Sequence, residues 1–437
     1  MIVLKTKIKS FNYYFTILIT FFFIFGVPFT YLPINSSKLV FTFLVVLFIL
    51  KTISTKKLDI KVNKSIFIFA IVLVGMINIS LLYAIGHNTM DFSVSYAYFI
   101  FLIEALVGSY LLYTLFLKNY SFEEILHIII VVSLLQALII IGMFALEPFR
   151  DFIFSIADSK DDLMKRYGGF RGFGLAGSVT YDLAVFLSIG MIFIAYLVSQ
   201  SSKKRLFYLI SWVIIFIAVL MTGRTGWIGA FLSLLILFLN FKNKNSIKSL
   251  TYLIFSLIFV TVFFIFILFK FFPEVYEILF VSVVPYAFEM FINLYETGFM
   301  STSSSDHLQA MYFDVKEETY LFGDGYWANP NGFGYYMGTD AGFMRHMLFY
   351  GIIPSLFLYI FYLFAFFKMS YSIKHTFNNL LLFFMLCGYY FLAHYKGDFL
   401  TGSAMNIKLF TILFVFLSIK KYVIRKMKNE KNIIHSS

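Results

Sequence analysis

Seven of the 35 basic residues in this chain are arginine, and five of those, Arg150, Arg166, Arg171, Arg224 and Arg345, stand in polar breaks between long apolar runs. A guanidinium is a planar, permanently charged fork that pairs bidentately with phosphate or carboxylate. The chemistry these positions offer is capture of an anion at a membrane surface. The bland alternative is that each arginine balances a nearby acid in an ordinary loop salt bridge. Arg224 carries the sharpest signal. It lies in Met-Thr-Gly-Arg-Thr-Gly-Trp, the only break between two apolar runs of 17 residues. An arginine held there faces either a lipid phosphate or a substrate anion, and Gly223 and Gly226 permit close backbone approach. Arg166 and Arg171 belong to Arg-Tyr-Gly-Gly-Phe-Arg-Gly-Phe-Gly, a cationic glycine-rich run whose N–H groups, with those of the helix that follows, could add to an anion site.

A second group of functional types is packed into Phe322–His346. Asp324, Tyr326, Trp327, Asn329 and Asn331 alternate aromatic rings with amide and carboxylate groups. Rings that cover C–H faces beside groups that take hydroxyls are the mixed surface on which sugars are held. An interfacial aromatic belt accounts for the rings alone, but not for the clustered Asp and Asn. Glu104 and Lys408 lie within apolar runs, where ionisable groups are costly and pair or line a cavity; a mutual pair is one expectation.

The elements that must position these residues are membrane spans. The 437 residues are 60% hydrophobic, 21% aromatic and 13% charged, against about 25% charged in soluble domains. That composition excludes secreted enzymes, cytosolic globular domains and disordered chains. Apolar runs near the ~20 residues needed to cross a hydrocarbon core recur throughout. They predict an all-α polytopic membrane protein of about 12 transmembrane helices, near Phe11–Tyr31, Pro33–Leu50, Ser65–Ile85, Phe92–Leu117, Phe122–Leu146, Leu175–Ser199, Leu206–Thr222, Thr225–Phe241, Leu250–Phe271, Gly342–Phe367, Asn378–Leu392 and Gly402–Ile419. The first follows a lysine-rich start but lacks a small-residue cleavage site, and is read as a retained helix.

The lysines set the orientation. With both termini in the cytoplasm, the inner segments collect 23 of the 35 basic residues and four acids, while the outer side holds 12 basic and 18 acidic residues. Positive charge therefore accumulates inside, and the net charge of +12 is an orientation signal with no bearing on nucleic acid. Two outer loops are long, 147–174 and 272–341, and long ordered loops carry function. The whole chain, 1–437, is read as one polytopic domain. The lone Cys387 excludes an internal disulfide or a cysteine metal cluster, and no phosphate-loop motif is present.

Three stretches taken together carry a family resemblance: Arg166–Asp182 opening a helix, Thr-Gly-Arg-Thr-Gly at Arg224, and Phe322-Gly-Asp-Gly followed by Asp340-Ala-Gly-Phe-Met and Gly351-Ile. The chain resembles the O-antigen polymerase and ligase superfamily, in particular its Wzy-type polysaccharide polymerases. The resemblance implies a metal- and cofactor-independent glycosyltransferase of the bacterial cytoplasmic membrane. Its substrate would be an oligosaccharide on undecaprenyl pyrophosphate, transferred at the outer face to a sugar hydroxyl in O-antigen or capsule synthesis. Membrane lipids and a chain-length regulator are the further implied partners. It places Arg166, Arg171, Arg224 and Arg345 on the pyrophosphate and a group at the head of the tenth helix on the acceptor. Asp340 is the first choice for the general base, with His346 and His394 as competitors. The ligase branch often reads His-Asn where this chain has Thr339-Asp340, which favours a polymerase over the alternatives of a ligase or a flippase for lipid-linked glycans. The charge distribution makes a direct prediction: reporters fused in Lys203–Arg205 and after Lys420 act in the cytoplasm, and one inserted in 272–341 acts outside, and the reverse pattern in a fusion series overturns the orientation.

Overall fold

The computed structural model describes residues 2–57, 63–157, 172–178, 180–200, 204–240, 244–373 and 376–436. In hydrocarbon every backbone N–H and C=O must find a partner within the chain, and a helix satisfies this segment by segment. The described chain is accordingly mostly helical, with two isolated bridges in place of any strand. In order it runs α1 (Ile2–Phe25), α2 (Ser36–Thr55), α3 (Lys64–Gly86), α4 (Ser93–Leu117), α5 (Phe122–Ala145), α6 (Glu147–Ile156), α7 (Tyr181–Gln200), α8 (Arg205–Thr222), α9 (Gly226–Leu239), α10 (Lys244–Phe271), α11 (Pro273–Thr297), α12 (Ser303–Ala310), α13 (Glu317–Phe322), α14 (Gly342–Tyr350), α15 (Ile352–Ser370), α16 (Phe377–Lys396) and α17 (Ala404–Ser436). Among the described residues ten helices are long and apolar enough to cross a membrane, and Phe11–Phe25 and Gly226–Leu239 are shorter apolar helices. The protein is a polytopic α-helical membrane protein.

Two expectations change. The stretch 272–341 is no plain loop: Pro273, at the first turn where its missing N–H costs nothing, opens α11, 25 residues long and itself apolar enough to span. Glu274, Glu277, Glu289 and Glu296 interrupt its apolar run, which is why the run reads as a loop. The predicted tenth helix is broken at Gly351, whose φ of 71° ends α14 before α15 begins. The other long loop opens as α6, and 158–171 lies outside the described residues.

The chain divides into two compact units, Met1–Val40 with Tyr120–Asp306, and Phe41–Asn119 with His307–Ser437. In the first, α7 is the central element, with Leu183 to Val198 buried on every side. A helix that is apolar all round belongs inside a bundle, and α5, α8 and α9 enclose this one. Trp212 Nε1 donates to Ser233 Oγ at 2.9 Å, which ties α8 to α9 and satisfies the buried indole.

The second unit packs α3, α4, α15 and α17 around aromatic side chains: Phe69 meets Phe101, Phe361, Phe410 and Phe414 with ring centroids 4.8–5.9 Å apart. Within α4 the turns over Phe101–Val107 widen to π geometry and carry Glu104 against Lys408 of α17, with Oε1 and Nζ 2.6 Å apart. Both side chains are buried, so the pair anticipated from the cost of isolated intramembrane charges is present. Ser109 and Thr411 share a hydrogen bond of 2.9 Å one turn further on. Removing one partner of a buried ion pair leaves an uncompensated charge, which costs about 3–5 kcal/mol. Glu104→Gln should therefore lower the thermal midpoint of the detergent-purified protein clearly, and Glu104→Gln with Lys408→Met should recover much of the loss; equal midpoints for wild type and single variant would show that the pair contributes nothing.

Candidate functional site

The second unit concentrates the candidate residues on and around α14. This short helix begins after Ala341 and carries Arg345 and His346. Gly342 starts it because any side chain there would collide with the His394 ring. Alongside its C-terminal end runs the 323–328 segment, whose Asp324 N–H donates to Leu348 O at 2.6 Å and Gly325 N–H to Phe349 O at 3.2 Å. The segment then turns back on itself. Ala328 bridges Tyr335, Asn329 N–H donates to Gly334 O at 3.0 Å and Tyr336 N–H to Trp327 O at 3.2 Å. Asn329 Oδ1 accepts from Asn331 N–H at 3.0 Å, a local turn bond of the kind asparagine supplies, so Asn329 shapes this hairpin.

The hairpin delivers two rings to one cation. The Arg345 guanidinium carbon lies 3.8 Å from the Trp327 ring centroid and 4.0 Å from that of Tyr335. Arg345 is only 8% exposed, and its Nε has no hydrogen-bond partner among the described residues. No described carboxylate stands within 4.0 Å of it. Burial pulls its pKa down, opposed by the charges of Asp398, Tyr335, Asp340 and Asp91; an arginine stays protonated regardless. This is a buried cation compensated chiefly by π faces.

Next to it sits a buried polar cluster. Asp398 Oδ1 and Oδ2 both lie 2.6 Å from Thr401 Oγ1, and Oδ1 also accepts from Thr401 N–H at 3.2 Å. His346 Nε2 lies 3.1 Å from Thr401 Oγ1 and 3.4 Å from Asp398 Oδ1, and its Nδ1 is 3.1 Å from Tyr359 Oη. Because the Thr401 hydroxyl gives its one hydrogen to the carboxylate, the network assigns the His346 proton to Nε2. His394 Nδ1 accepts from the N–H groups of Phe399 and Leu400 at 3.2 and 3.4 Å. Burial pushes the Asp398 acid up, but the His346 hydrogen bond and the charges of His346, His394 and Arg345 outweigh it and hold the group well below the usual carboxylate range. His346 and His394 are both fully buried. As arranged here, neither of these expected competitors for the base is open to solvent. His346, His394 and Asp398 each offer a ligand atom within 4.8 Å of the others, a spacing a metal ion could bridge. The lone pair of His394 Nδ1 is nevertheless taken by backbone N–H groups, and the Arg345 charge opposes a further cation, so the geometry fits a hydrogen-bonded cluster better than a metal centre.

Asp340, two residues before α14, is half-buried and makes no side-chain hydrogen bond to another described residue. Burial raises its pKa, opposed by the charges of His307, Lys396 and Arg345. Its own backbone N–H also bonds the carboxylate, and a carboxylate with no other side-chain hydrogen-bond partner among the described residues and made more basic is what a proton acceptor requires. Asp324 differs: it accepts from Thr319 Oγ1 at 2.7 Å and from Tyr336 Oη at 3.1 Å, and Tyr336 is pushed up to about 12 by burial and by Asp324. Tyr326 stacks on Tyr336 at 5.1 Å. Asp324 and Tyr336 line an open cavity of about 910 Å³ together with Asp314, Glu318, Lys316 and His87.

In the first unit Arg224 is not a free cation. It is paired with Glu289 of α11 and lies 4.1 Å from the Tyr286 ring centroid, and Glu289 also accepts from Ser303 N–H at 2.8 Å. Arg150 pairs with Glu147 at 2.9 Å. Arg166 and Arg171 lie outside the described residues. Sequence reasoning assigned no role of its own to Asp398, Tyr335, Glu289 or Asp91. Only Asp398 carries a signal, standing four residues after His394, just past the end of α16.

No family model, curated protein or solved structure matches this chain.

The Asp398 cluster gives a prediction with a defined sign. An acid whose folded pKa is depressed adds stability that is present above its unfolded value, about 3.9, and is lost as pH falls through the lower folded value. The stability contributed by Asp398 should be lost only below about pH 4, while Asp398→Ala should destabilise at neutral pH by about 3–5 kcal/mol; a neutral-pH midpoint unchanged in Asp398→Ala contradicts the assignment.

Proposed function

We propose that this protein is a membrane-embedded glycosyltransferase that polymerises lipid-linked oligosaccharide repeat units, transferring glycan from undecaprenyl pyrophosphate to a sugar hydroxyl. The observation that carries the reading is Arg345, a buried guanidinium with no carboxylate within 4.0 Å among the described residues, five residues after a half-buried Asp340 of raised pKa. In the reaction the anomeric carbon–oxygen bond to the pyrophosphate breaks as the acceptor oxygen bonds to that carbon. The hydroxyl proton passes to Asp340, and the charge left on the departing lipid pyrophosphate is stabilised by Arg345. Preplaced charge of this kind, in a site poor in water, is usually the largest catalytic term. Arg224, in the first unit, would take a substrate phosphate only by exchanging Glu289 for it. The aromatic and amide groups of 324–336, Trp327 and Tyr326 among them, hold sugar rings. The remaining parts of the reading are the bacterial cytoplasmic membrane as the location, O-antigen or capsule synthesis as the process, and a chain-length regulator as a partner.

The polymerase is preferred to a ligase on Thr339-Asp340. The two, and a flippase, separate in one experiment: deletion of the protein in its own cell, followed by sizing of the surface glycan and of the lipid-linked pool. Single repeats on an otherwise capped surface are expected. Long polymer stranded on lipid indicates a ligase, single-repeat lipid confined to the inner leaflet a flippase, and an unchanged profile removes the reading. Complementation refines it. Asp340→Asn and Arg345→Ala should each reduce polymer by roughly 10²–10³-fold at normal protein level. Activity of the wild type should fall with decreasing pH at a value above the ordinary ~3.9 of an aspartate, because the protonated acid cannot accept a proton.

A further inference from the structure

The rings that enclose Arg345 are themselves held by a residue far away in sequence. Asp91, in the turn between α3 and α4, accepts from the backbone N–H groups of Trp327 and Ala328 through Oδ2, each at 2.7 Å, and from Ser93 N–H through Oδ1 at 3.1 Å. Thr89 Oγ1 donates to Gly325 O at 2.8 Å. Gly325, at φ 69°, admits this approach, since a Cβ there would sit 2.9 Å from that of His87. The turn that presents Asp91 holds Asn88 and Met90 at φ of 55° and 53°. Left-handed backbone at a residue such as Met is uncommon and persists where surrounding contacts over-determine it. The contacts that do so here run to the base of the 327–336 hairpin. Trp327 and Ala328 lie next to the hairpin's first bridge, and Trp327 and Tyr335, on its opposite arms, are the two rings on Arg345. Charge-assisted bonds from two successive amides to one carboxylate oxygen are short and directional, so they set the height of both rings over the guanidinium.

We propose that Asp91 is a positioning residue for Arg345, acting through the Trp327–Tyr336 hairpin to hold the guanidinium in the orientation in which it receives an anionic phosphate group of the substrate. The inference rests on Arg345 being the anion site of the proposed transferase. It assigns a role to a residue that touches neither the anion nor the transferring sugar. Asp91 also adds negative charge in range of Arg345, so the neutral isostere and the truncation separate the two contributions: Asn keeps an oxygen for the amides, and Ala keeps neither charge nor oxygen.

The test uses the purified full chain in detergent with two readouts. The first is the rate at which an arginine-specific dicarbonyl reagent modifies Arg345, followed by mass spectrometry. Asp91→Ala should raise it several-fold and Asp91→Asn less, with both variants eluting as the wild type on size exclusion. An unchanged rate in Asp91→Ala overturns the proposal whatever the protein's function. The second is binding of inorganic pyrophosphate. Asp91→Ala and Trp327→Ala should each weaken it about tenfold, and the double variant should be no worse than either alone, because both act through one hairpin. Additive losses overturn the proposal, since a general loosening of the fold would add. Retention of pyrophosphate binding in Arg345→Ala overturns the anion-site reading itself and with it the role of Asp91, a result distinct from an unchanged dicarbonyl rate.

Discussion

The guanidinium of Arg345, clasped between the rings of Trp327 and Tyr335, is the interaction around which the second unit is arranged. Burying a charge is expensive unless something replaces the water it loses. A carboxylate in contact would neutralise the arginine and leave nothing for a ligand. Aromatic faces supply part of the lost solvation and leave the N–H fork chemically available. To hold two rings at the right height the chain needs a hairpin, to hold the hairpin it needs Asp91, and to bring Arg345 beneath it needs a helix that starts tightly at Gly342. Asp398 completes the balance from the other side, a buried carboxylate that touches His346 and Thr401 and reaches the arginine by charge alone.

Two other cations among the described residues, Lys408 buried and Arg224 partly buried, are handled differently. Lys408 is matched by Glu104 in direct contact, and Arg224 by Glu289. In both cases the cation is neutralised by a partner on another element, which fixes how those elements meet. The contrast gives Arg345 its meaning. Among the buried cations of the described chain, it is compensated mainly by rings and by charges beyond contact distance, and it stands in range of a carboxylate, Asp340, whose pKa is raised.

Much of the architecture is legible in the sequence because lipid imposes one simple rule, that apolar runs of span length become helices. Nine of the ten long apolar helices coincide with predicted spans. The exception, α11, carries four glutamates spaced along an otherwise apolar run, and run length alone cannot see through them. The break at Gly351 is likewise hidden, because glycine within an apolar run is common in spans. At the site, Arg345, His346, His394 and Asp340 are readable as residue types. Their states are not: burial of both histidines, the Glu289 partner 65 residues from Arg224, and the link from Asp91 to Trp327 236 residues away follow from tertiary pairing, which leaves no periodic trace in one sequence. The Glu104–Lys408 pair is the instructive middle case, since the cost of an isolated intramembrane charge alone is enough to look for a partner.

The central claim is that the protein itself moves glycan from a lipid pyrophosphate to a sugar hydroxyl at the site around Arg345. Its most direct measurement is reconstitution of the purified full chain in lipid vesicles with the lipid-linked repeat unit, scoring product length and released polyprenyl pyrophosphate together. The account predicts a ladder of oligomers with one carrier released per bond formed, without added nucleotide. A folded preparation that binds the lipid-linked unit yet yields neither longer glycan nor free carrier would contradict it.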